Sequence, residues 1–141
     1  FEKNGQTELL KEIISLWHGT DKLIVHINSK SIFVNDKSLY PYKIQSNLTF
    51  GEYIEEKRKQ QNIIERDLLN SGNNIINVIL GPVDCGFSDL LDCKKLSVSE
   101  VADYIYFCID NNNKIHAQQV ILDVPNQPWS EIFFKWIILN T

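Results

Sequence analysis

A histidine, a glycine and a threonine stand in a row at His18-Gly19-Thr20, and such a run could form part of a catalytic site. Glycine lets a ligand approach the backbone closely, and an imidazole beside it could bind a hydroxyl or move a proton. The run follows "TELLKEIISLW", whose apolar residues recur with a helical period and predict a helix over residues 7–17. Glycine directly after a helix usually adopts the left-handed conformation that ends it. We therefore interpret the run as the end of a helix.

ADP-ribosyltransferases carry a His-Gly pair that binds the nicotinamide ribose, and there the pair lies on a strand. In this chain the pair follows a predicted helix, and the stretch after it, "KLIVHINSKSIFV", contains no glycine. That family also has a catalytic glutamate near the end of the domain. The only acidic residue in an apolar stretch near the end of this sequence is Glu131, and it lies in a predicted helix. The sequence has no glycine-rich phosphate loop, HExxH or EF-hand pattern either. We therefore assign no catalytic residue and expect a protein that is not an enzyme.

Cysteine and histidine residues could form a metal site if their spacing allowed it. Seven residues separate Cys85 from Cys93, and seven separate Cys108 from His116. Structural zinc sites usually place about two to four residues between paired ligands, because a short turn brings both to one ion. We therefore predict neither a metal site nor another cofactor.

Cys85 is the best candidate for a nucleophile, because it lies in the glycine-flanked stretch "GPVDCGFSD". A reactive cysteine needs a lowered pKa, whereas the neighbouring Asp84 and Asp89 would raise the pKa of this thiol. The three histidines are scattered and none has a paired acid, so no catalytic triad is indicated. A small enzyme with an unrecognised site around Cys85 is one alternative function.

A module that binds single-stranded nucleic acid is the other alternative. The run Lys57-Arg58-Lys59 could contact phosphates, and bases could stack on the aromatic residues Tyr40, Tyr42, Tyr104 and Tyr106. However, the run follows Glu55 and Glu56, which cancel much of its field. The chain as a whole carries 18 acidic and 14 basic residues, a net charge of −4. Since nucleic-acid binders normally have a basic surface, we do not expect nucleic acid as the partner.

Hydrophobic periodicity and capping residues predict three helices. The first covers residues 7–17. The second covers residues 50–69, begins with the capping box Thr49-Phe50-Gly51-Glu52 and has a solvated middle, "EEKRKQQN". The third is predicted in "WSEIFFKWIIL", after Pro128.

Strands are predicted where β-branched and aromatic residues cluster between turn residues. We expect one hairpin of "KLIVHIN" and "SIFVND" around Asn28-Ser29-Lys30, and another of "DYIYFCID" and "KIHAQQVIL" around Asn111-Asn112-Asn113. Pro41 makes "LYPYKI" an edge strand, "NIINVIL" is expected to be a central strand, and residues 82–98 an irregular connection. This order predicts a single α+β domain over residues 1–141, with a largely antiparallel sheet and three helices.

Composition indicates a globular protein of a reducing compartment. Apolar residues make up 43% of the chain, enough for a packed core, yet no apolar run approaches the length of a membrane span. Three cysteines, an odd number, argue against a disulfide framework. The N-terminus is charged and then amphipathic, unlike a secretory signal, so we expect a cytoplasmic protein that does not contact membranes.

The C-terminal third, "YIYFCIDNNNKIHAQQVILDVPNQPWSEIFFKWI", resembles the end of immunity proteins from bacterial contact-dependent growth inhibition systems. In that family a strand, a short polar turn and a second strand with a Gln/Asn pair lead into a proline-flanked helix. The matching parts here are Lys114-Ile115, the stretch from Gln118 to Leu122, and the helix after Pro128. Upstream, "LTFGEYIEEKRKQQNIIERDLLNSGNNIINVIL" is similar in layout to the family's helix and the buried strand that follows it.

The resemblance implies a cytoplasmic protein that binds and neutralises a cognate toxin domain delivered by a neighbouring cell, commonly a nuclease. A nuclease site is basic because it binds phosphate, so an inhibitor that covers it is expected to present acidic residues. The acidic residues that we expect to bind the toxin lie on the second helix and in the irregular connection: Glu52, Glu55, Glu56, Asp84, Asp89 and Asp92. For each one taken alone, a solvated surface charge is the simpler interpretation.

Overall fold

The helices and strands of this protein begin and end at capping and turn residues. The computed structural model describes residues 5–84 and 93–127. Within these ranges, three α-helices cover Gly5–Trp17 (α1), Phe50–Leu69 (α2) and Val98–Asp110 (α3). The strands are Leu23–Ser29 (β1), Lys43–Gln45 (β2), Leu48–Thr49 (β3), Asn74–Leu80 (β4) and Gln119–Leu122 (β5). Two short 3₁₀ helices lie at Lys30–Phe33 and Lys37–Leu39.

Among the described residues, the main sheet has three parallel strands in the order β1-β4-β5. β1 pairs with β4 from Leu23 opposite Asn74 to Ser29 opposite Leu80, and β4 pairs with β5 over its second half. β2 and β3 form a separate antiparallel pair. The α+β class and the central position of "NIINVIL" are confirmed, whereas the prediction of a largely antiparallel sheet is wrong. Helices α2 and α3 lie between successive strands, and such connections return the chain to the same end of the sheet, as parallel pairing requires.

The first predicted hairpin does not form, because "SIFVND" does not continue as a strand. The Ser29 hydroxyl accepts a hydrogen bond from the Ser31 N–H (3.1 Å) and caps the 3₁₀ helix that begins at Lys30. Asp36 caps the second 3₁₀ helix in the same way, so only the end of "LYPYKI" is extended, in β2. β1 has its partner in β4, 51 residues further along the chain at the pair His26 and Asn77.

The second predicted hairpin is also wrong, because "DYIYFCID" belongs to α3. Val101, Ile105 and Cys108 recur at helical spacing, and Ile105 and Cys108 pack against the sheet near Ile76 and Val78. Aromatic and β-branched residues favour strands, but burial of this helical stripe outweighs their propensity. The asparagine triplet therefore ends a helix, at Asn111, instead of turning a hairpin.

The two predicted N-terminal helices are confirmed as α1 and α2. At the start of α2, the Thr49 hydroxyl accepts from the Glu52 N–H (3.1 Å), and the Glu52 carboxylate accepts from the Thr49 N–H (3.3 Å). Both helices pack on one face of the sheet through the apolar cluster Leu10, Ile24, Ile64 and Ile75, while α3 covers the other face. The predicted helix after Pro128, and residues 85–92 of the predicted irregular connection, lie outside the described residues. No helix in the described ranges is long and apolar enough to span a membrane.

Candidate protein-binding surface

The His18-Gly19-Thr20 run ends α1, as predicted. The helix stops at Trp17, and Gly19 has the left-handed φ of +72° that glycine adopts without strain. The Thr20 backbone N–H and hydroxyl both donate to the Trp17 carbonyl, at 3.0 and 2.6 Å. The three residues therefore end the helix and supply hydrogen bonds to its last carbonyl group. Their contacts do not form a ligand site.

The cysteine and histidine residues with equal spacing have separate roles where they are described. Cys108 is buried in the core between α3 and the sheet, and His116 Nε2 lies 2.7 Å from the Ile75 carbonyl oxygen. Cys85 is outside the described residues. In the part of the chain that the structure describes, no group of three or more His, Cys, Asp or Glu side chains could hold a metal ion.

A layer of polar side chains lies between α2 and the sheet. The strand register places His26, Asn77 and Gln119 side by side across β1, β4 and β5. Asn77 Nδ2 donates to Gln61 Oε1 (2.9 Å) and to Gln119 Oε1 (3.0 Å), and Asn77 Oδ1 lies 2.8 Å from His26 Nδ1. The solvated middle predicted for α2 is therefore wrong, since four of its polar residues are buried by this layer and by α1: Glu56, Lys57, Gln60 and Gln61.

His26 is the titratable member of this polar layer. Its two ring nitrogens lie 2.8 Å from Asn77 Oδ1 and 3.1 Å from Gln60 Oε1. Burial lowers the pKa of His26 below its ordinary value of 6.5, and the charge of Lys57 acts in the same direction, although the contacts with both amides oppose the shift. The folded state therefore favours the neutral imidazole more than the unfolded state does.

We expect His26 to make the free energy of unfolding depend on pH. Because its folded pKa is lowered, its contribution is fully present above pH 6.5 and is lost as the pH falls through the folded pKa. Urea unfolding of the wild type and of His26→Gln from pH 7.5 downward measures this contribution. Below pH 6.5, the free energy of unfolding of the wild type should fall relative to that of His26→Gln. If the free energies of both proteins changed with pH in parallel, this role of His26 would be wrong.

The structure separates the acidic residues that the sequence predicts as toxin contacts. Glu56 is buried, and its carboxylate accepts from the Thr7 hydroxyl and from Lys59 Nζ, both at 2.9 Å. Its charge is thus committed to contacts within the chain. Asp84 is exposed just after β4, whereas Asp89 and Asp92 lie outside the described residues.

Glu52 and Glu55 lie close together on α2, but in a surface of mixed charge. Both line a groove of about 750 Å³ that also contains the cations Lys37, Arg58 and Lys59. Glu52 completes the capping box, and Glu55 lies 3.7 Å from Lys59 Nζ, as the i to i+4 spacing predicts. A surface in which acidic and basic side chains alternate has little net electrostatic field, so this groove favours neither a positively nor a negatively charged partner.

The basic run Lys57-Arg58-Lys59 is used within the fold. Lys57 is buried, donates to Gln6 Oε1 (2.8 Å), and has its pKa lowered to about 8 by that burial. Arg58 donates to the carbonyl oxygens of residues 32 and 34, at 2.9 and 2.6 Å, and so fixes the segment after the first 3₁₀ helix. Lys59 pairs with the carboxylates on its own helix. This run therefore offers little to a phosphate backbone.

Exposed aromatic and acidic side chains lie together on the outer side of α3. Tyr104, Tyr106 and Phe107 are 45%, 66% and 61% exposed, although side chains of this size are usually covered in a folded protein. The rings of Tyr104 and Phe107 lie beside one another, with centroids 6.4 Å apart. We define the α3 face as these three residues together with the exposed acids of the helix: Glu100, Asp103, Tyr104, Tyr106, Phe107 and Asp110.

The α3 face has one sign of charge. Its carboxylates, at positions 100, 103 and 110, follow helical spacing and flank Phe107, while the buried stripe of the helix faces the sheet. The sequence of α3 contains no lysine, arginine or histidine. A negative field around exposed rings is suited to a partner that brings positive charge and an apolar pocket.

Two signals in the sequence could have identified this surface. Ser97-Val98-Ser99-Glu100 has the spacing of a capping box, and the Ser97 hydroxyl does accept a hydrogen bond from the Glu100 N–H (3.4 Å). The apolar residues Val101, Ile105 and Cys108 follow a helical period. The sequence places Tyr104 and Tyr106 in a predicted strand, as residues on which bases could stack. They are exposed, but on a helix that carries acids.

Comparison with known proteins adds no relative. No family model matches the chain, and no match is found among curated proteins or among solved structures. The resemblance to immunity proteins therefore stays a prediction. Of the layout on which it rests, the helix before a buried strand is present as α2 and β4, but the C-terminal strand, turn and strand are a helix, a turn and a strand.

Proposed function

We propose that this protein is a cytoplasmic immunity protein that binds a basic toxin domain and neutralises it, with the α3 face as the contact. The single observation that carries the proposal is the coincidence of three exposed aromatic side chains and three carboxylates on one helix without a basic residue. A nuclease is the expected toxin activity, since enzymes that bind phosphate have basic sites.

The chemistry of the α3 face supports binding to a protein. Tyrosine and phenylalanine supply large contact areas with few rotatable bonds, and aromatic residues are enriched at the centres of interfaces. The rings lie amid carboxylates, which would steer a basic partner toward them and raise the association rate. In the part of the chain that is described, Glu56 is committed to internal contacts, and Glu52 and Glu55 lie among basic side chains.

The proposal is tested by capture followed by a neutralisation assay. The tagged chain is used to capture proteins from cells of the strain that encodes it, beside the charge-reversal variant Asp103→Lys/Asp110→Lys. A variant that reverses two exposed acids on α1, Glu8→Lys/Glu12→Lys, is the matched control. We expect the wild type and the control, but not the α3 variant, to retain one basic protein at equal stoichiometry.

The captured protein is then expressed in a test bacterium, where it should arrest growth when expressed alone. Co-expression of the wild type or the α1 control should restore growth, and co-expression of the α3 variant should not. A captured protein that leaves growth unaffected, or rescue by all three chains alike, would contradict the proposal.

A further inference from the structure

β1 is an edge strand of the main sheet, and among the described residues only β4 pairs with it. The N–H groups of Asn77 and Gly81 donate to carbonyl oxygens at β5, so the odd-numbered residues of β4 bond to β5 and the even-numbered residues bond to β1. In the parallel register, the backbone groups of Val25 and Ile27 therefore point away from β4, toward the open edge. Within the described ranges these groups have no hydrogen-bond partner.

The edge formed by β1 lacks the features that usually prevent edge strands from pairing. Such features are a short strand, a bulge, proline and charged side chains, especially lysine. β1 has seven residues, "LIVHINS", without proline, lysine, arginine or an acidic residue, and its pairing with β4 is regular throughout. The opposite edge strand, β5, has only four residues and is followed by Asp123. β1 is therefore the edge of this sheet that is suited to accept another strand.

An apolar part of α1 flanks the same edge. A groove of about 230 Å³ lies between α1 and β1, and most of its lining is aliphatic, including Leu9, Ile13 and Ile27. Leu9 and Ile27 are 56% and 44% exposed, and Leu16, on the same side of the helix as Leu9 and Ile13, is 68% exposed. Single exposed apolar side chains are common, but these border a row of backbone groups that can accept a strand. The two features together favour an interface with another chain.

We propose that two copies of this chain pair through β1, antiparallel and about a twofold axis at Val25, so that their main sheets join into one. A twofold axis makes the edge complementary to itself, since each copy donates and accepts the same backbone hydrogen bonds. In this register Val25 lies opposite its own symmetry copy, and Leu23 lies opposite Ile27 of the second copy. Each pair is aliphatic, and such cross-strand pairs stabilise a sheet. The exposed leucines of the two α1 helices extend the contact beyond the strands.

This dimer goes beyond the proposed function and does not depend on it. α1 packs on one face of the sheet and α3 on the other, so pairing through β1 leaves the outer side of each α3 uncovered. The dimer would therefore present two α3 faces and bind two toxin domains. Loss of the dimer and loss of toxin binding are separate results, because they concern different surfaces.

Sedimentation equilibrium of the purified intact chain tests whether the dimer forms. The wild type should have twice the mass of one chain at micromolar concentrations. Ile27→Lys and Leu9→Lys should each raise the dissociation constant of the dimer at least about tenfold, because they place an unpaired charge in an apolar contact. Ile121→Lys makes the same change at a half-exposed position on the opposite edge strand and should leave the dissociation constant unchanged.

Amide hydrogen exchange, followed for each residue by NMR, tests where the two copies meet. The Val25 amide should be protected in the wild-type dimer and should exchange rapidly in Ile27→Lys. The amides of Ile24 and His26 bond to β4, so they should stay protected in both proteins and show that the variant is folded.

Three results would overturn the inference. The first is a wild type that stays monomeric at every concentration; if its Val25 amide were protected, the edge would be covered by the same chain. The second is a dimer that persists unchanged in both Ile27→Lys and Leu9→Lys. The third is a dimer whose Val25 amide exchanges as rapidly as it does in the variant.

Discussion

Replacing Asn77 by alanine is expected to lower the free energy of unfolding by about 3 kcal/mol. Asn77 is fully buried on the central strand and contacts three side chains, those of His26, Gln61 and Gln119. Gln61 is buried and His26 is partly buried, and a buried partner left unsatisfied costs about 1–3 kcal/mol. Gln119 is exposed and adds little to this cost, because its Oε1 still accepts from Gln61 Nε2 (2.8 Å). Urea unfolding at pH 7 measures the change.

Asn62→Ala is the matched control for that substitution, because it removes the same atoms from an exposed residue on α2. It should change the free energy of unfolding by no more than about 0.5 kcal/mol. If Asn77→Ala cost less than about 1 kcal/mol, the hydrogen bonds of the polar layer would contribute little to stability, and its assignment as the link between α2 and the sheet would be wrong.

Replacing Phe107 by alanine is expected to weaken toxin binding by about 2 kcal/mol, roughly thirtyfold in Kd. Its ring is 61% exposed at the centre of the α3 face and is flanked by carboxylates, the position in which an aromatic anchor contributes most. Since the ring is not part of the core, the free energy of unfolding should change by no more than about 0.5 kcal/mol. Calorimetric titration of the toxin and urea unfolding give the two quantities.

Phe33→Ala is the matched control for binding, since Phe33 is 51% exposed on the first 3₁₀ helix, outside the α3 face. It should leave the Kd unchanged. If Phe33→Ala and Phe107→Ala weakened binding equally, affinity would depend on exposed apolar surface wherever it lies. The proposal that α3 is the contact would then be wrong.

Local features of the sequence were sufficient for the first two helices and for the central strand. The stripe before Trp17 and the glycine after it define α1, and the reciprocal hydrogen bonds of Thr49 and Glu52 define the start of α2. The continuous apolar run of β4 indicates a strand covered on both faces, which is typical of parallel sheets. The same run could therefore have indicated a parallel sheet, in which the two predicted hairpins would not form.

The polar layer could not be predicted from local patterns, because it depends on parallel register between distant strands. Asn77 meets His26 across 51 residues and Gln119 across 42 residues. In the sequence, Gln60 and Gln61 belong to a polar stretch that has the composition of a solvated helix side. They are buried because they pack against the row of His26, Asn77 and Gln119, and because Gln60 also contacts Thr7 of α1.

The candidate surface was missed for a different physical reason. The stretch "DYIYFCID" consists largely of β-branched and aromatic residues, so propensity and periodicity disagree within it. The stretch forms a helix because this conformation buries Ile105 and Cys108 together against the sheet. The same helix places Tyr106 and Phe107 on the solvent-exposed side. The resemblance predicts acidic residues that bind a partner on α2 and in the irregular connection, whereas we propose that this contact is on α3.

The central claim, that the α3 face contacts the toxin, is tested most directly by hydroxyl-radical footprinting of the saturated complex. Aromatic side chains react readily with hydroxyl radicals in proportion to their exposure, so Tyr106 and Phe107 should be oxidised in the free protein. We predict that this oxidation is lost when the toxin binds, while that of the exposed Phe33 and Tyr42 is unchanged. Undiminished oxidation of Tyr106 and Phe107 in a complex at full occupancy would contradict the claim.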